Sequence, residues 1–149
     1  MKSNISKEIK QYNALWCKTN AAYEDWAKQY HLSYYELLIF VSLWDEEEFC
    51  TQRMLRDQWT LPKQTVHSIL KNFEKKNWVY LESMERDRRN KAIYLTKEGR
   101  KFVKRVMEDL QFCEQTAWEK LGEQRRKALL ENTALYLKYF KGEGQNENQ

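Results

Sequence analysis

The 149 residues include 42% hydrophobic and 14% aromatic side chains, enough for a folded core and too many for a disordered chain. No apolar run approaches the ~18 residues of a membrane span, and the polar start MKSNISKEIKQ lacks the apolar stretch of a signal peptide. Three widely spaced cysteines (Cys17, Cys50, Cys113) supply neither a disulfide framework nor metal-ligand spacing, so a cytoplasmic chain without metal or cofactor is expected. The net charge of +4 is unevenly spread: residues 51–101 hold 13 Lys/Arg against six Asp/Glu, and the remainder is net acidic. A basic block of that kind suits a polyanionic partner. Four Gly and one Pro predict a helix-rich body.

In chain order, apolar or small residues recur at Ile5, Ile9, Tyr12, Trp16, Thr19, Tyr23, Trp26 and Tyr30, in alternating steps of four and three. That is a helix with one sticky stripe, close to a heptad seam, able to pack on its own domain or on a second subunit. Ser33-Tyr34-Tyr35-Glu36 has the form of a capping box. It opens a helix over 34–44 that is apolar nearly all round and therefore buried. The acidic run Asp45–Glu48 ends it as a solvated turn. Thr51 can cap a short helix with Met54, Leu55 and Trp59 facing inward. After a break at Thr60-Leu61-Pro62, a second helix is predicted from about Pro62 to Lys76. Val66, Ile69, Leu70 and Phe73 form its inner face. Gln64, Ser68, Lys71 and Lys75 fall on the outer face, with Thr65 and His67 on the flanks.

The period then changes. Trp78–Leu81 and Ala92–Leu95 are β-prone, and the charged stretch Glu85–Asn90 between them reads as a hairpin loop. Thr96 caps a long helix with an apolar stripe from Phe102 to Leu121. Gly122 stops it. A last helix runs from about Glu123 to Phe140, and residues 142–149 are expected to fray.

The middle of the chain is thus a helix-turn-helix followed by a wing. In that geometry the second helix enters a major groove of duplex DNA. Gln64 can read base edges, Ser68 is a small hydrogen-bonder, and Lys71 can meet phosphate; Lys63, Thr65 and His67 complete the candidate helix surface. Arg86, Asp87, Arg88, Arg89 and Lys91 gather at the hairpin. Arginines there suit the negative potential of a narrow minor groove, with Asp87 placed to hold the Arg89 fork. Two His far apart and the absence of nucleophile or phosphate-loop motifs point away from an enzyme.

The stretch Leu55–Gly99 resembles the multiple-antibiotic-resistance regulator (MarR) family. Leu61-Pro62-Lys63-Gln64-Thr65-Val66 stands where that family starts its recognition helix. Phe73–Val79 is similar to its passage into the wing. Asp87-Arg88-Arg89 with Leu95-Thr96-Lys97-Glu98-Gly99 matches its D-x-R wing and L-T-x-x-G helix start. Departures fall at Thr60 and Asn77, where the family favours Gly, and at Ser68 and Leu81, where it favours Arg. The resemblance implies a mainly α fold, a winged helix-turn-helix over 33–99 with helical dimerisation regions at 1–32 and 100–141. It implies a homodimeric, sequence-specific DNA-binding regulator on a palindromic operator. It further implies a repressor released by a small aromatic or anionic effector, for which Tyr12, Trp16, Trp26 and Trp44 are the candidate pocket. Two other readings share this fold: a redox-sensing regulator using Cys17, and a winged-helix protein-interaction module without DNA binding.

Overall fold

The computed structural model describes residues 2–45 and 49–143. All but Asp45 of the predicted acidic turn Asp45–Glu48, and nearly all of the predicted frayed tail, lie outside that range. The order is α1 (Lys2–Lys28), α2 (Tyr34–Trp44), β1 (Cys50–Thr51), α3 (Gln52–Trp59), α4 (Lys63–Lys75), β2 (Val79–Met84), β3 (Asp87–Leu95), α5 (Lys97–Leu121) and α6 (Glu123–Phe140). The strands form one antiparallel sheet in the order β1-β3-β2. This is the mainly α winged-helix architecture that the sequence implied, with a third strand that it did not. Cys50 pairs with Ile93 and Thr51 with Ala92. A two-residue strand is too short to show the alternation that reveals a strand in sequence. Among the described residues, no helix is long and apolar enough to cross a membrane.

The chain forms two compact units, residues 1–107 and 108–149, with α5 running through the boundary. The first unit therefore includes α1, which had been grouped with the C-terminal helices. Local packing accounts for this: Ala27 and Leu32 are buried, Tyr23 stacks on Tyr34 at 5.1 Å, and Glu24 accepts a hydrogen bond from the Tyr34 N–H. The capping box forms as read, with the Glu36 N–H donating to Ser33 Oγ at 3.1 Å. Partial burial raises the Glu36 carboxyl above its usual range, against the lowering effect of the Ser33 backbone N–H and Lys76.

The core of this unit is aromatic at its centre. Phe40 of α2 stacks on Phe73 of α4 at 4.3 Å, and Trp78 stacks on Phe102 of α5 at 4.5 Å. Phe40 also meets Trp78 and Phe102, so four rings tie three helices to the entrance of the sheet. Around them Leu37, Ile39, Leu55, Val66, Leu70 and Val103 are fully buried. Met54, predicted to face inward, is 40% exposed, because the short helix turns Leu55 rather than Met54 into the core.

Helix α4 ends in a Schellman motif. The Trp78 N–H donates to the Phe73 carbonyl and the Asn77 N–H to that of Glu74, with Asn77 left-handed at φ 57. Thr60, closing α3, is also left-handed at φ 52. Both are positions where the resembled family favours Gly. Thr96 then ties the sheet to α5: its hydroxyl donates to the Asn77 carbonyl at 2.6 Å and accepts the Gly99 N–H at 2.9 Å. A Cβ on Gly99 would lie 1.9 Å from the Trp78 carbonyl oxygen. The glycine in L-T-x-x-G is therefore required by backbone packed on backbone.

In the second unit, Gly122 adopts φ 78 between α5 and α6, and Arg126 Nη1 donates to the Trp118 carbonyl at 2.9 Å. Helix α6 has no buried residue. Phe112, Leu129, Leu130, Leu137 and Phe140 are all at least half exposed.

Candidate nucleic-acid interface

Helix α4 starts at Lys63, with Pro62 outside it as the N-cap, so the first free amides of the helix open beside Lys63 and Gln64. Its apolar face buries Val66, Leu70 and Phe73. That burial sets the rotation of the helix: Lys63, Gln64, Ser68, Lys71 and Lys75 are exposed, while Thr65 and His67 are half-buried on the flanks.

The wing differs from its predicted form. The loop is the pair Glu85-Arg86, and β3 already begins at Asp87. Val79 pairs with Leu95 and Ser83 with Lys91, but Met84 pairs with Asp87. One step along β2 thus matches four along β3, and Arg88, Arg89 and Asn90 bulge from the ladder without partners on β2. Asp87 Oδ1 accepts the backbone N–H of Arg89 at 3.2 Å. The carboxylate therefore fixes the chain of the bulge; the expected grip on the Arg89 guanidinium is not the contact made. An Asx-type bond to the amide two residues on is the short-range geometry open to Asp.

Between α3, α4 and the wing lies a cleft of about 440 Å³. Helix α4 contributes Lys63, His67 and Lys71, and the wing contributes Arg89 and Lys91. These are five of the eleven candidate DNA-contacting residues, brought to one place. Arg86, Asp87 and Arg88 lie outside it, at the hairpin end. Sequence reasoning missed the third wall: Arg53 and Arg56 of α3, a helix of which only the inward face is predicted. Their spacing of three, which puts both on one side of α3, was the available signal. Arg56 Nε is buried and has no hydrogen-bond partner among the described residues.

The four candidate effector-pocket aromatics are not brought together. Tyr12 and Trp16 pair edge to face on α1, and Trp26 contacts Tyr30 at the far end of that helix. Fourteen residues of helix separate Tyr12 from Trp26, about 21 Å. Trp44, at the end of α2, lies under the Arg100 guanidinium. Of the cysteines, Cys17 and Cys113 are exposed and Cys50 is buried. Desolvation pushes the Cys50 thiol up to about 11, which keeps it protonated and unreactive near neutral pH.

A helix-turn-helix with a basic exposed helix face and an arginine-bearing hairpin defines the chain as a winged-helix protein of the regulator class. It belongs to the family described as transcriptional regulator SarA/Rot, whose model matches residues 21–106. The HTH-type transcriptional regulator SarZ of Staphylococcus epidermidis is 33% identical over 88 residues, 59% of this chain and 58% of its own length. The match thus spans less than two thirds of that relative. Among solved structures, NMB1585, a MarR family regulator from Neisseria meningitidis, superposes with a TM-score of 0.80 at 22% identity, covering 95% of this chain and 99% of that one. MepR of S. aureus in complex with DNA superposes at 0.73 with 22% identity, covering 86% and 97%. At these identities the likeness is one of fold.

Proposed function

We propose that this protein regulates transcription as a homodimer on duplex DNA, with α4 in a major groove and the hairpin reaching the adjacent minor groove. The observation that carries the reading is the cationic surface. The exposed face of α4, the cleft beside it and the bulged wing bring Lys63, Lys71, Arg56, Arg89 and Lys91 together around a single acid of the cleft lining among the described residues, Glu74, on a recognition helix whose apolar face is used in the core. The family and the DNA complex of MepR support the same reading. Dimerisation supplies two copies of α4 for successive major grooves, roughly 34 Å apart, on a palindromic site. Each unit offers exposed apolar side chains for it, Ile5, Ile9 and Trp16 in the first and Leu130 and Leu137 in the second. Release by a small aromatic or anionic effector remains part of this proposal, without the four-aromatic pocket first assigned to it.

The test is binding to random and to selected duplexes over a salt series. Logarithmic affinity should fall steeply and linearly with logarithmic salt, by about 0.9 per phosphate neutralised. Gln64→Ala should reduce preference at one base position, by a factor corresponding to about 1–3 kcal/mol. Salt-independent binding, or none, would show instead a winged helix that serves protein partners.

A further inference from the structure

A winged helix that fills two neighbouring grooves straddles the sugar-phosphate strand dividing them. If α4 occupies the major groove and the hairpin the adjacent minor groove, that strand has to pass between α4 and the wing. In this fold the space between them is the cleft walled by α3. We propose that the cleft is the seat of the dividing strand, and that Arg56 at its inner wall holds one of its phosphates. This rests on the DNA-binding reading above and names the residue of α3 that makes the contact.

Three observations carry it. First, the cleft's volume of about 440 Å³ corresponds to roughly fifteen water molecules, room for a phosphate with its flanking sugars rather than for a lone small ion. Second, its chemistry is that of a polyanion seat. Cations enter from three separate elements, and among the described residues Glu74 is the one acid in the lining. Third, Arg56 is held where an anion would complete it. Its main-chain carbonyl accepts the N–H groups of Thr60 and Leu61, which anchors the residue in the turn, while its side-chain Nε is buried without a partner among the described residues. A buried donor left unmade costs the free protein stability. A phosphate oxygen in the cleft would accept a charge-assisted bond from the Arg56 guanidinium, a planar group that Lys cannot copy.

A phosphate group could also come from a small phosphorylated compound, and the experiment separates the two sources. Full-length wild-type, Arg56→Gln and Arg56→Lys proteins are titrated with a selected duplex over a salt series. Arg56→Gln should bind every duplex about tenfold more weakly and lose about one unit of salt slope. Arg56→Lys should recover the slope but not the full affinity. In the absence of DNA, Arg56→Gln should melt no lower than wild type, whereas a purely structural arginine would lower the melting temperature.

The duplex is also scanned with single uncharged methylphosphonates. One position between the two grooves should weaken wild type and be silent in Arg56→Gln. Because the scan on wild type needs no variant, misfolding of Arg56→Gln would not spare the proposal: no sensitive phosphate between the grooves overturns it. A wild type that binds no duplex refutes the DNA-binding reading itself. Wild-type binding matched by Arg56→Gln refutes the Arg56 seat alone. Inorganic pyrophosphate or a mononucleotide at millimolar concentration should leave the wild-type melting temperature unchanged. Stabilisation of wild type but not Arg56→Gln, with an unchanged duplex affinity, would assign the seat to free phosphates and overturn the strand assignment.

Discussion

Helices α2 and α6 are both rich in large apolar side chains, yet they end in opposite states. Helix α2 spans 11 residues and buries Leu37, Ile39, Phe40 and Leu43 within its own chain. Helix α6 spans 18 and buries none, with Leu130 at 60% and Phe140 at 76% exposure. The difference teaches that apolar content alone does not say where a helix belongs. One face of helix α2 is covered by α1, α3, α4, the sheet and α5 within one copy of the chain, and only Tyr35 of its large side chains stands half exposed. The apolar face of α6 requires a surface from elsewhere, which the proposed dimer supplies.

The comparison can be broken most directly at its two extremes. Phe40→Ala removes the ring shared by three aromatic neighbours and should cost about 3–5 kcal/mol in urea unfolding, a large part of a small domain's stability. Ile9→Glu with Leu137→Glu should act on association instead, giving monomers in sedimentation with the helical circular dichroism retained and DNA affinity lost. A dimer that persists in the double variant would put the interface elsewhere.

A second test uses the cysteines, which sample both environments. The raised Cys50 pKa means that its contribution to stability is complete below the unfolded value near 9 and is lost as pH rises through about 11. Wild type should therefore lose more stability than Cys50→Ala between those limits. Native labelling at pH 8 should reach Cys50 last; labelling of Cys50 at the rate of Cys17 or Cys113 would contradict the burial assigned to β1.

The smallest effect sharpens the turn between α3 and α4. Thr60 is β-branched and left-handed, a combination that Gly adopts without strain. Thr60→Gly should raise stability by about 1 kcal/mol, measured as a shift in the urea midpoint. An unchanged or lower midpoint would mean that the turn carries no relievable strain.

Much of the fold was legible because it rests on local periodicity and local chemistry. The inner face of α4, the Ser33–Glu36 cap and the L-T-x-x-G join are each written within a few neighbouring residues. What was hidden depends on distant ones. Strand β1 is two residues that become a strand through Ile93 and Ala92. The cationic cleft exists because Arg56, Lys71 and Arg89 converge from three elements, and no spacing along the chain announces that convergence. The aromatic stripe of α1 was read correctly as helical, but periodicity does not distinguish a pocket wall from an interface, and Tyr12 and Trp26 sit far apart on that one helix.

The bulge in the wing has a consequence for how this protein can change over generations. Because Arg88, Arg89 and Asn90 lie outside the paired ladder, residues can be gained or lost there without shifting the alignment of Val79 with Leu95 or of Cys50 with Ile93. The reach and charge of the wing are thereby uncoupled from the sheet that supports it. A lineage can vary how the hairpin meets its target while the scaffold behind it stays in register.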